Sequence, residues 1–447
     1  MEISAMLIQH VDNIQALDEN DKSQIKLLLL DYFAAAFAGY KQNKAFSDMT
    51  GGVVFSQGGN EESSVLLCEK KLPSRSAAFM NALYGHGAEL DDGNKNAMGH
   101  VGVHVIPAVL SLAEAENKTQ DEVMLAIAVG YEAYIRISSA AQPGMVNRSF
   151  HSTGFAGAPA CAVACAKLLG LAADGIESAM SLACTMASGL LTYSESQQMI
   201  KPINPAKAAE TGVFATRLAQ AGIKGPANCL EGPHGWFKAA TDNVNESMIT
   251  NEYDHLLIHE CYFKLYPSCR HTHCGIEAAI SIHNKIDVSQ VKKVKVCIYP
   301  NAIKLAGQIK HPKDVDETKF SIHYTMACGL LYGEYGVDYM DPPKLNQDVL
   351  NMIDLIELIP DETMENREKA IRGTRVEVLL NNGTTISETV LVPKGDPEKP
   401  LTHEDILQKL KTCSSGIVTE QKLENLISYI TNFGGNKELN ADLLFCK

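Results

Sequence analysis

One short loop concentrates side chains that could transfer protons. The segment HGAELDDGNKNAMGH, residues 86–100, holds the carboxylates Glu89, Asp91 and Asp92 between two histidines, and an apolar run follows it. Histidine titrates near neutral pH, and a neighbouring carboxylate can fix which ring nitrogen carries the proton. The loop is therefore either the floor of an acid–base site or a surface turn in which the acids cap and solvate the backbone.

Four further segments concentrate reactive side chains. They read RSFHSTG, MIKPINPAKAAETG, FKLYPSCRHTHC and KFSIHYTMACGLLYG, and each contains histidine, lysine or arginine next to an apolar or small-residue helix pattern. Such a cationic set suits binding of carboxylates and proton transfer beside them. Taken alone, the lysines could be solvated surface residues, and the last histidine and tyrosine could be core residues. The candidates are His151, Lys201, Lys207, Lys264, Arg270, His271, His273, His323 and Tyr324.

Motifs for other chemistries are not found. The cluster CRHTHC lacks the ligand spacing of zinc sites, and no second ligand pair is evident, so no metal is predicted. The sequence contains no GxGxxG after a strand, no GxxxxGK[ST], no GxSxG and no HExxH. The residues therefore favour acid–base chemistry on a small polycarboxylate without a cofactor.

Composition limits the partners. The 447 residues carry a net charge of −14, which argues against nucleic acid and anionic membranes as partners. The N-terminus lacks the basic and apolar regions of a signal peptide, and no apolar run of about eighteen residues predicts a membrane span. The 12 cysteines form no CxxC pair and often lie in apolar runs, so a cytoplasmic location is expected.

Periodicity predicts a helical N-terminal part. Apolar residues recur at helical spacing over 23–39, ending at Gly39, and again over 74–84 and 105–116. Gln120–Ala140 is predicted as a helix with Thr119 as its N-cap. Helices packed closely through Ala, Gly, Ser and Cys are expected from about 155 to 190, and another over 205–222.

The pattern changes near residue 259. VKKVKVCIYP, residues 291–300, alternates as a strand does, and residues 374–392 predict a hairpin around Asn381, Asn382 and Gly383. Helices are expected near 318–333 and 362–370. The predicted organisation is a helical domain at 1–258, an α+β domain at 259–404 and C-terminal helices at 405–447 that return to the first domain.

Taken together, the segments resemble the MmgE/PrpD family, which includes 2-methylcitrate dehydratases, cis-aconitate decarboxylases and iminodisuccinate epimerase. The resemblance covers nearly the whole chain, in the family's order. It rests on the stretches LLLLDYFAAAFAG, NALYGHGAELDDGNKNAMGHVGVHVIPAVLSLAEAE, FHSTGFAGAPACAVACAKLLGL, IKPINPAKAAETG, FKLYPSCRHTH, FSIHYTMACGLL and GDPEKPLTHEDI.

The resemblance implies a large all-helical domain with an inserted α+β lid, a homodimer, and an active site in a cleft that needs neither metal nor organic cofactor. It also implies roles for individual residues. The expected catalytic residues are His100, His151, Lys201, Lys264 and Tyr324, and the expected substrate-binding residues are Glu89, Asp92, Arg270, His271 and His273. Asp92 or Glu89 is expected to fix a histidine tautomer, whereas Asp91 is expected to cap or solvate the loop.

The chain departs from the family pattern at four positions, the first of which is Glu89, an acid that stands where the family loop often has aspartate. Gly93 stands where the family loop often has threonine, Asn204 where many members have histidine, and Val101 where proline is usual. The expected function is a lyase, dehydratase or decarboxylase, acting on a di- or tricarboxylate. An epimerase of a dicarboxylate such as iminodisuccinate and a non-catalytic polycarboxylate-binding protein remain open alternatives.

Overall fold

Apart from one near residues 362–370, the predicted helices are present in a computed structural model that describes residues 2–193, 200–340, 342–366, 369 and 371–446. Within that part the chain divides into two units. The helical unit comprises the residues up to Gly87, Asp91–Tyr262 and those from Thr402 on, and the mixed unit comprises Ala88–Leu90 and Phe263–Leu401. The prediction of a mainly helical chain with a smaller module of helices and strands is confirmed.

The helical unit is built mainly from α-helices. Its main helices are α1 (Ile3–Asn13), α2 (Glu19–Gln42), α3 (Lys44–Ser56), α4 (Ser74–His86), α5 (Gly102–Ala115), α6 (Gln120–Ala140), α7 (Gly144–Asn147), α8 (Ser152–Phe155), α9 (Gly157–Leu168), α10 (Ala173–Met186), α11 (Ile203–Gln220), α12 (Trp236–Ala240) and α13 (Ser247–Thr250). A two-stranded ladder pairs β1 (Gly93–Asn94) with β2 (Cys261–Tyr262). A 3₁₀ turn, Leu257–Glu260, precedes β2.

Helix α6 lies at the centre of this unit and begins where the sequence predicts. The Thr119 side chain accepts from the backbone N–H of Glu122, whose carboxylate accepts in return from the Thr119 backbone. In the described part of the chain α6 is the one helix long and apolar enough to cross a membrane. However, 94% of its most apolar stretch of 18 residues is buried inside the protein. The apolar surface of α6 is therefore used by the core.

Helix α2 contradicts the prediction that it ends at Gly39, because it continues to Gln42. Gly39 lies inside the helix at a close contact with the end of α4. A Cβ atom at Gly39 would lie 1.9 Å from the carbonyl oxygen of Tyr84 and 3.0 Å from the Cα atom of Gly87. The glycine is needed for this approach and is not a helix stop.

The mixed unit packs helices on one small sheet with strand order β4–β3–β7–β8. Strand β3 (Val291–Ile298) pairs in parallel with β4 (Ile356–Pro360) and antiparallel with β7 (Thr374–Leu380), and β8 (Thr385–Val390) closes the predicted hairpin. The helices are α14 (His273–His283), α15 (Pro300–Ala306), α16 (Val315–Lys319), α17 (Ile322–Tyr332) and α18 (Gln347–Leu355), with 3₁₀ turns at Arg270–Thr272, Val288–Gln290, Val337–Tyr339 and Glu362–Met364.

The helix predicted near 362–370 is wrong. After the 3₁₀ turn Glu362–Met364 the chain forms the short antiparallel pair β5 (Glu365–Asn366) and β6 (Ile371–Arg372). Residues 367, 368 and 370 lie outside the described residues. The charged composition ENREK suits a solvated helix, but the backbone N–H of Gly373 donates to the carbonyl oxygen of Met364 at 2.7 Å, so local pairing decides the structure.

The last helices belong to the helical unit. They are α19 (His403–Ser414), α20 (Glu420–Thr431) and α21 (Ala441–Leu444). Thr402 caps α19, and the ammonium of Lys409 donates to the carboxylate of Asp31 on α2 at 2.5 Å. Both side chains are buried, so this ion pair ties the C-terminal segment to the N-terminal helices.

Candidate active site

Two histidines at helix ends share one buried carboxylate. His86 is the last residue of α4, and its Nδ1 lies 2.8 Å from Oδ2 of Asp91. The Nδ1 of His100, two residues before α5, lies 3.2 Å from the same oxygen. The imidazole of His86 and the carboxylate of Asp91 are enclosed, whereas the His100 side chain is 12% exposed. Of the two, His100 is therefore the ring that a small molecule could reach.

The contacts of His100 fix its tautomer. Its Nδ1 also lies 2.8 Å from the backbone carbonyl oxygen of Asp92, which can only accept a hydrogen bond. Nδ1 therefore carries the proton, and in the neutral ring Nε2 keeps its electron pair. The backbone N–H of His100 donates to the hydroxyl of Thr153 at 3.2 Å, which holds the main chain beneath the ring.

His151 joins this cluster from the start of α8, where it is the N-cap residue. Its ring centroid lies 5.9 Å from that of His86, and the rings of His86 and His100 are 5.0 Å apart. The backbone N–H of His151 donates to the carbonyl oxygen of Gly189 at 3.1 Å. Three imidazoles and one carboxylate thus meet where the ends of separate helices converge.

Lys201 lies on the same side of the helical unit. Its ammonium is 5.9 Å from the ring centroid of Tyr193, and that ring is 5.3 Å from the ring of His151. Lys207, by contrast, pairs with Glu210 at 2.8 Å on an exposed helix face, as a solvated lysine does. Met199, the first residue of the predicted lysine motif, lies outside the described residues.

Asp91 and Asp92 have exchanged the roles that the sequence predicts. The expectation that Asp91 caps or solvates the loop is wrong, because its side chain contacts both His86 and His100. The Asp92 side chain instead accepts from the backbone N–H of Gly102 at 2.9 Å and from the hydroxyl of Tyr131 at 2.8 Å. Asp92 therefore anchors the start of α5, and only its backbone carbonyl contacts a histidine.

Burial raises the pKa of Asp92 to about 7, with a further increase from the charge of Asp31. An acid with a raised pKa in the folded state favours folding at low pH, so its contribution falls as pH rises from about 4 to about 7. We expect Asp92→Asn, which keeps the shape, to gain stability over the wild type by up to about 1.4 kcal/mol per pH unit across this window. Urea unfolding at several pH values measures that difference, and equal pH dependence of the two proteins would contradict the expectation.

The space beside Gly93 in the loop is occupied by a side chain from the neighbouring strand. Gly93 pairs with Tyr262 in the β1–β2 ladder, and a Cβ atom at Gly93 would lie 2.4 Å from the hydroxyl oxygen of Tyr262. The phenol therefore occupies the space that a side chain at position 93 would need. The hydroxyl expected from a threonine at this position is absent, but a tyrosine hydroxyl lies in its place.

In the mixed unit, Lys264 forms a buried ion pair with Glu89. Its ammonium donates to the backbone carbonyl of Glu89 at 3.0 Å and to the carboxylate at 3.1 Å, and both side chains are almost fully buried. Glu89 has a φ of +54°, in the left-handed region that non-glycine residues seldom adopt. These two hydrogen bonds, one of which is also the ion pair, hold this unusual backbone in place.

The remaining predicted site residues are also engaged within the mixed unit. Arg270 pairs with Asp396, and the Nδ1 of His271 contacts the hydroxyl of Tyr299. Burial, reinforced by nearby cations, lowers the pKa of His271 to about 3, so this ring is neutral at physiological pH. His273 is buried, and its Nε2 lies 3.3 Å from the carbonyl oxygen of Ser268.

Tyr324 is fully buried. Its hydroxyl donates to the backbone carbonyl of Tyr339 and accepts from the backbone N–H of Lys344 at 2.9 Å. Burial raises the pKa of Tyr324 far above its ordinary value. The phenol therefore acts in this structure as a neutral link between α17 and the following loop.

One group of side chains has the composition of a metal site. His86, Asp91 and His100 offer two imidazole nitrogens and a carboxylate oxygen that all lie within 4.8 Å of one another. This donor set suits Zn²⁺ and related divalent ions. It is distinct from the CRHTHC segment, whose histidines contact Tyr299 and Ser268 as described above.

Sequence reasoning missed His86 and Tyr193 as members of the cluster. His86 ends an apolar helix, and its contact with Asp91 depends on a turn five residues long. A signal was present, since His86 and His100 flank the acidic loop symmetrically. Tyr193 lies 42 residues from His151 in the sequence, and no local pattern connects the two.

Sequence comparison finds family models and relatives that cover most of the chain. The chain matches the MmgE/PrpD N-terminal domain over residues 7–247 and the MmgE/PrpD C-terminal domain over residues 266–433. It is similar to a cis-aconitate decarboxylase-like protein of Aspergillus oryzae, at 26% identity over 94% of this chain and 90% of the relative. Cis-aconitate decarboxylases of Aspergillus terreus and Homo sapiens are 26% and 25% identical, over 90% and 91% of this chain and 86% of each relative.

Proposed function

The chain belongs to the MmgE/PrpD family, and from this premise we propose that it is a cofactor-independent lyase acting on a small tricarboxylate of the cis-aconitate type. The observation that carries the proposal is the cluster in which His86 and His100 share Asp91 beside His151. Such a cluster can move a proton at a carbon next to a carboxylate, which is the step that decarboxylation and dehydration have in common.

The proposed reaction makes two demands on the site. When a C–C or C–H bond next to a carboxylate breaks, its electron pair spreads onto the carboxylate oxygens, and a nearby cation or hydrogen-bond donor stabilises that charge. Lys201 and His151 are the proposed donors in the helical unit, and the Nε2 of His100 is the proposed proton carrier at carbon. Binding roles for Glu89, Asp92, Arg270, His271 and His273, and catalytic roles for Lys264 and Tyr324, remain proposals from the sequence.

The test is proton NMR of the purified protein with a panel of polycarboxylates in D₂O, including cis-aconitate and 2-methylcitrate. Release of CO₂ with a new dicarboxylate identifies a decarboxylase, and a change by one water identifies a dehydratase. Exchange of a substrate C–H with inversion but no change in composition identifies an epimerase. Binding without exchange identifies a carboxylate-binding protein and overturns the proposal.

Removing metal ions tests the cofactor-independent part of the proposal. We expect dialysis against a chelator to leave turnover unchanged, because the proposed proton carriers are side chains. Activity that is lost on chelation and restored by Zn²⁺ would make His86, Asp91 and His100 a metal centre. The matched variants are His100→Gln, which should abolish most turnover in either case, and the surface control His255→Gln, which should not.

A further inference from the structure

Asn204, the second residue of α11, has a side-chain amide whose orientation is fixed. Its Nδ2 lies 3.3 Å from the backbone carbonyl oxygen of Leu190 and 3.1 Å from Nδ1 of His151. A carbonyl oxygen only accepts, so the amide group facing it must be the NH₂ and not the oxygen. The same NH₂ therefore points its second N–H at the imidazole of His151.

This contact determines the tautomer of His151. An NH₂ group can only donate, so the Nδ1 of His151 is the acceptor and carries no proton when the ring is neutral. The ring proton then lies on Nε2. His100 is the opposite case, because its Nδ1 faces the carbonyl oxygen of Asp92 and the carboxylate of Asp91, and its Nε2 keeps the electron pair.

The two rings are thus prepared for different tasks. A neutral imidazole with a proton on Nε2 is a hydrogen-bond donor, suited to an oxygen on which negative charge develops. An imidazole with a bare Nε2 can accept a proton from carbon and return one to it. The difference arises from the partners at the two Nδ1 atoms and not from the histidines themselves.

The surroundings of Asn204 hold the amide in place. A Cβ atom at Gly154 would lie 3.0 Å from the Cβ of Asn204, and one at Gly189, where φ is +124°, would lie 3.4 Å from its Cγ. The backbone carbonyl of Gly189 also accepts a hydrogen bond from the backbone N–H of His151. The same glycine therefore contacts both Asn204 and His151 and helps to fix their relative positions. A larger side chain at position 204 would disturb this packing.

We propose that Asn204 is a positioning residue that holds His151 as the Nε2–H tautomer, making His151 the hydrogen-bond donor to the substrate carboxylate and leaving proton transfer at carbon to His100. The assignment of substrate rests on the proposed function, whereas the assignment of tautomers rests on the contacts alone. The chain thereby divides two chemically identical side chains into a donor and a base.

The direct test is ¹⁵N NMR of the full-length protein labelled in the histidine rings. Signals are assigned by their loss in His151→Gln and His100→Gln. We expect the wild-type Nδ1 of His151 to show the shift of an unprotonated nitrogen and that of His100 the shift of a protonated one. In Asn204→Asp, whose carboxylate accepts, the proton should move to the Nδ1 of His151. The control Asn147→Asp places the same charge on an exposed residue of α7 and should leave both rings unchanged.

The kinetic test is the pH dependence of kcat. In Asn204→Asp the neutral ring of His151 has a bare Nε2, so turnover should fall about a hundredfold at alkaline pH, as for loss of an oxyanion donor. At acidic pH the doubly protonated ring again donates from Nε2, and the loss should shrink. A variant with merely looser packing would lose activity equally at all pH values.

The outcomes separate the two proposals. A wild-type His151 that carries its proton on Nδ1, or an Asn204→Asp variant with wild-type ¹⁵N shifts and a wild-type pH profile, overturns the role of Asn204. A wild-type protein that converts none of the polycarboxylates overturns the lyase assignment but leaves the tautomers readable. If Asn204→Asp does not fold, the wild-type spectrum alone decides the tautomer assignment.

Discussion

Replacing Asp91 with asparagine is expected to lower kcat by about a hundredfold or more with little change in KM, on the scale of lost acid–base catalysis. The carboxylate of Asp91 accepts a hydrogen bond from Nδ1 of His86, and the same oxygen lies 3.2 Å from Nδ1 of His100. Because both Nδ1 atoms face the same oxygen, an asparagine presents them either with a neutral oxygen, which holds the rings less strongly than a carboxylate, or with an NH₂, from which both Nδ1 atoms would have to accept. Steady-state kinetics on the substrate identified by NMR measure the loss.

The neighbouring carboxylate provides the matched control. Asp92→Asn makes the same carboxyl-to-amide change at the adjacent residue, but that side chain bonds Gly102 and Tyr131, and only the backbone of Asp92 contacts a histidine. It should therefore change the pH dependence of stability while reducing kcat much less than Asp91→Asn does. Equal kinetic losses for the two variants would show that the loop needs its charges in general and that Asp91 has no special role.

Replacing Lys264 with methionine is expected to lower the free energy of unfolding by about 3–5 kcal/mol, because it leaves the buried carboxylate of Glu89 without its cation. The measurement is urea unfolding followed by a probe in the mixed unit. Glu89→Gln alone should also destabilise, since it leaves the ammonium of Lys264 buried and uncompensated. The double variant, in which neither of these two residues carries a charge, should recover most of the lost stability.

The double variant also separates structure from catalysis. If Lys264 serves only to hold Glu89, the Glu89→Gln, Lys264→Met protein regains both stability and turnover. If Lys264 binds a substrate carboxylate, as the sequence predicts, stability returns while turnover stays low. A single Lys264→Met variant with wild-type stability would contradict the importance of the ion pair.

Much of the fold follows from local signals. Thr119 and Glu122 form the capping box that begins α6, and the Asn382–Gly383 turn closes the β7–β8 hairpin, because each signal acts within a few residues. The error at 362–370 has the opposite cause. There the register of β5 with β6 is set by the chain on both sides, which a helix propensity cannot reveal.

For the candidate site, the sequence could identify the loop but not the directions of its side chains. Asp91 and Asp92 are adjacent and chemically alike, yet one faces two imidazoles and the other faces Gly102 and Tyr131. That choice depends on how the end of α4 meets the start of α5. The basic side chains of the RHTH segment were likewise identifiable by type, but their partners Asp396, Tyr299 and Ser268 come from contacts that spacing does not encode.

The close contact between Gly39 and Gly87 has a consequence for genetic screens. The amide of Asn43, just after α2, donates to the carbonyl of Gly87, the residue that follows His86. A single methyl group at Gly39 would clash with the backbone of Tyr84 and Gly87, on either side of His86 and outside any contact with substrate. A search for inactive variants should therefore recover position 39 alongside the polar residues, and a survey guided only by chemical reactivity would overlook it.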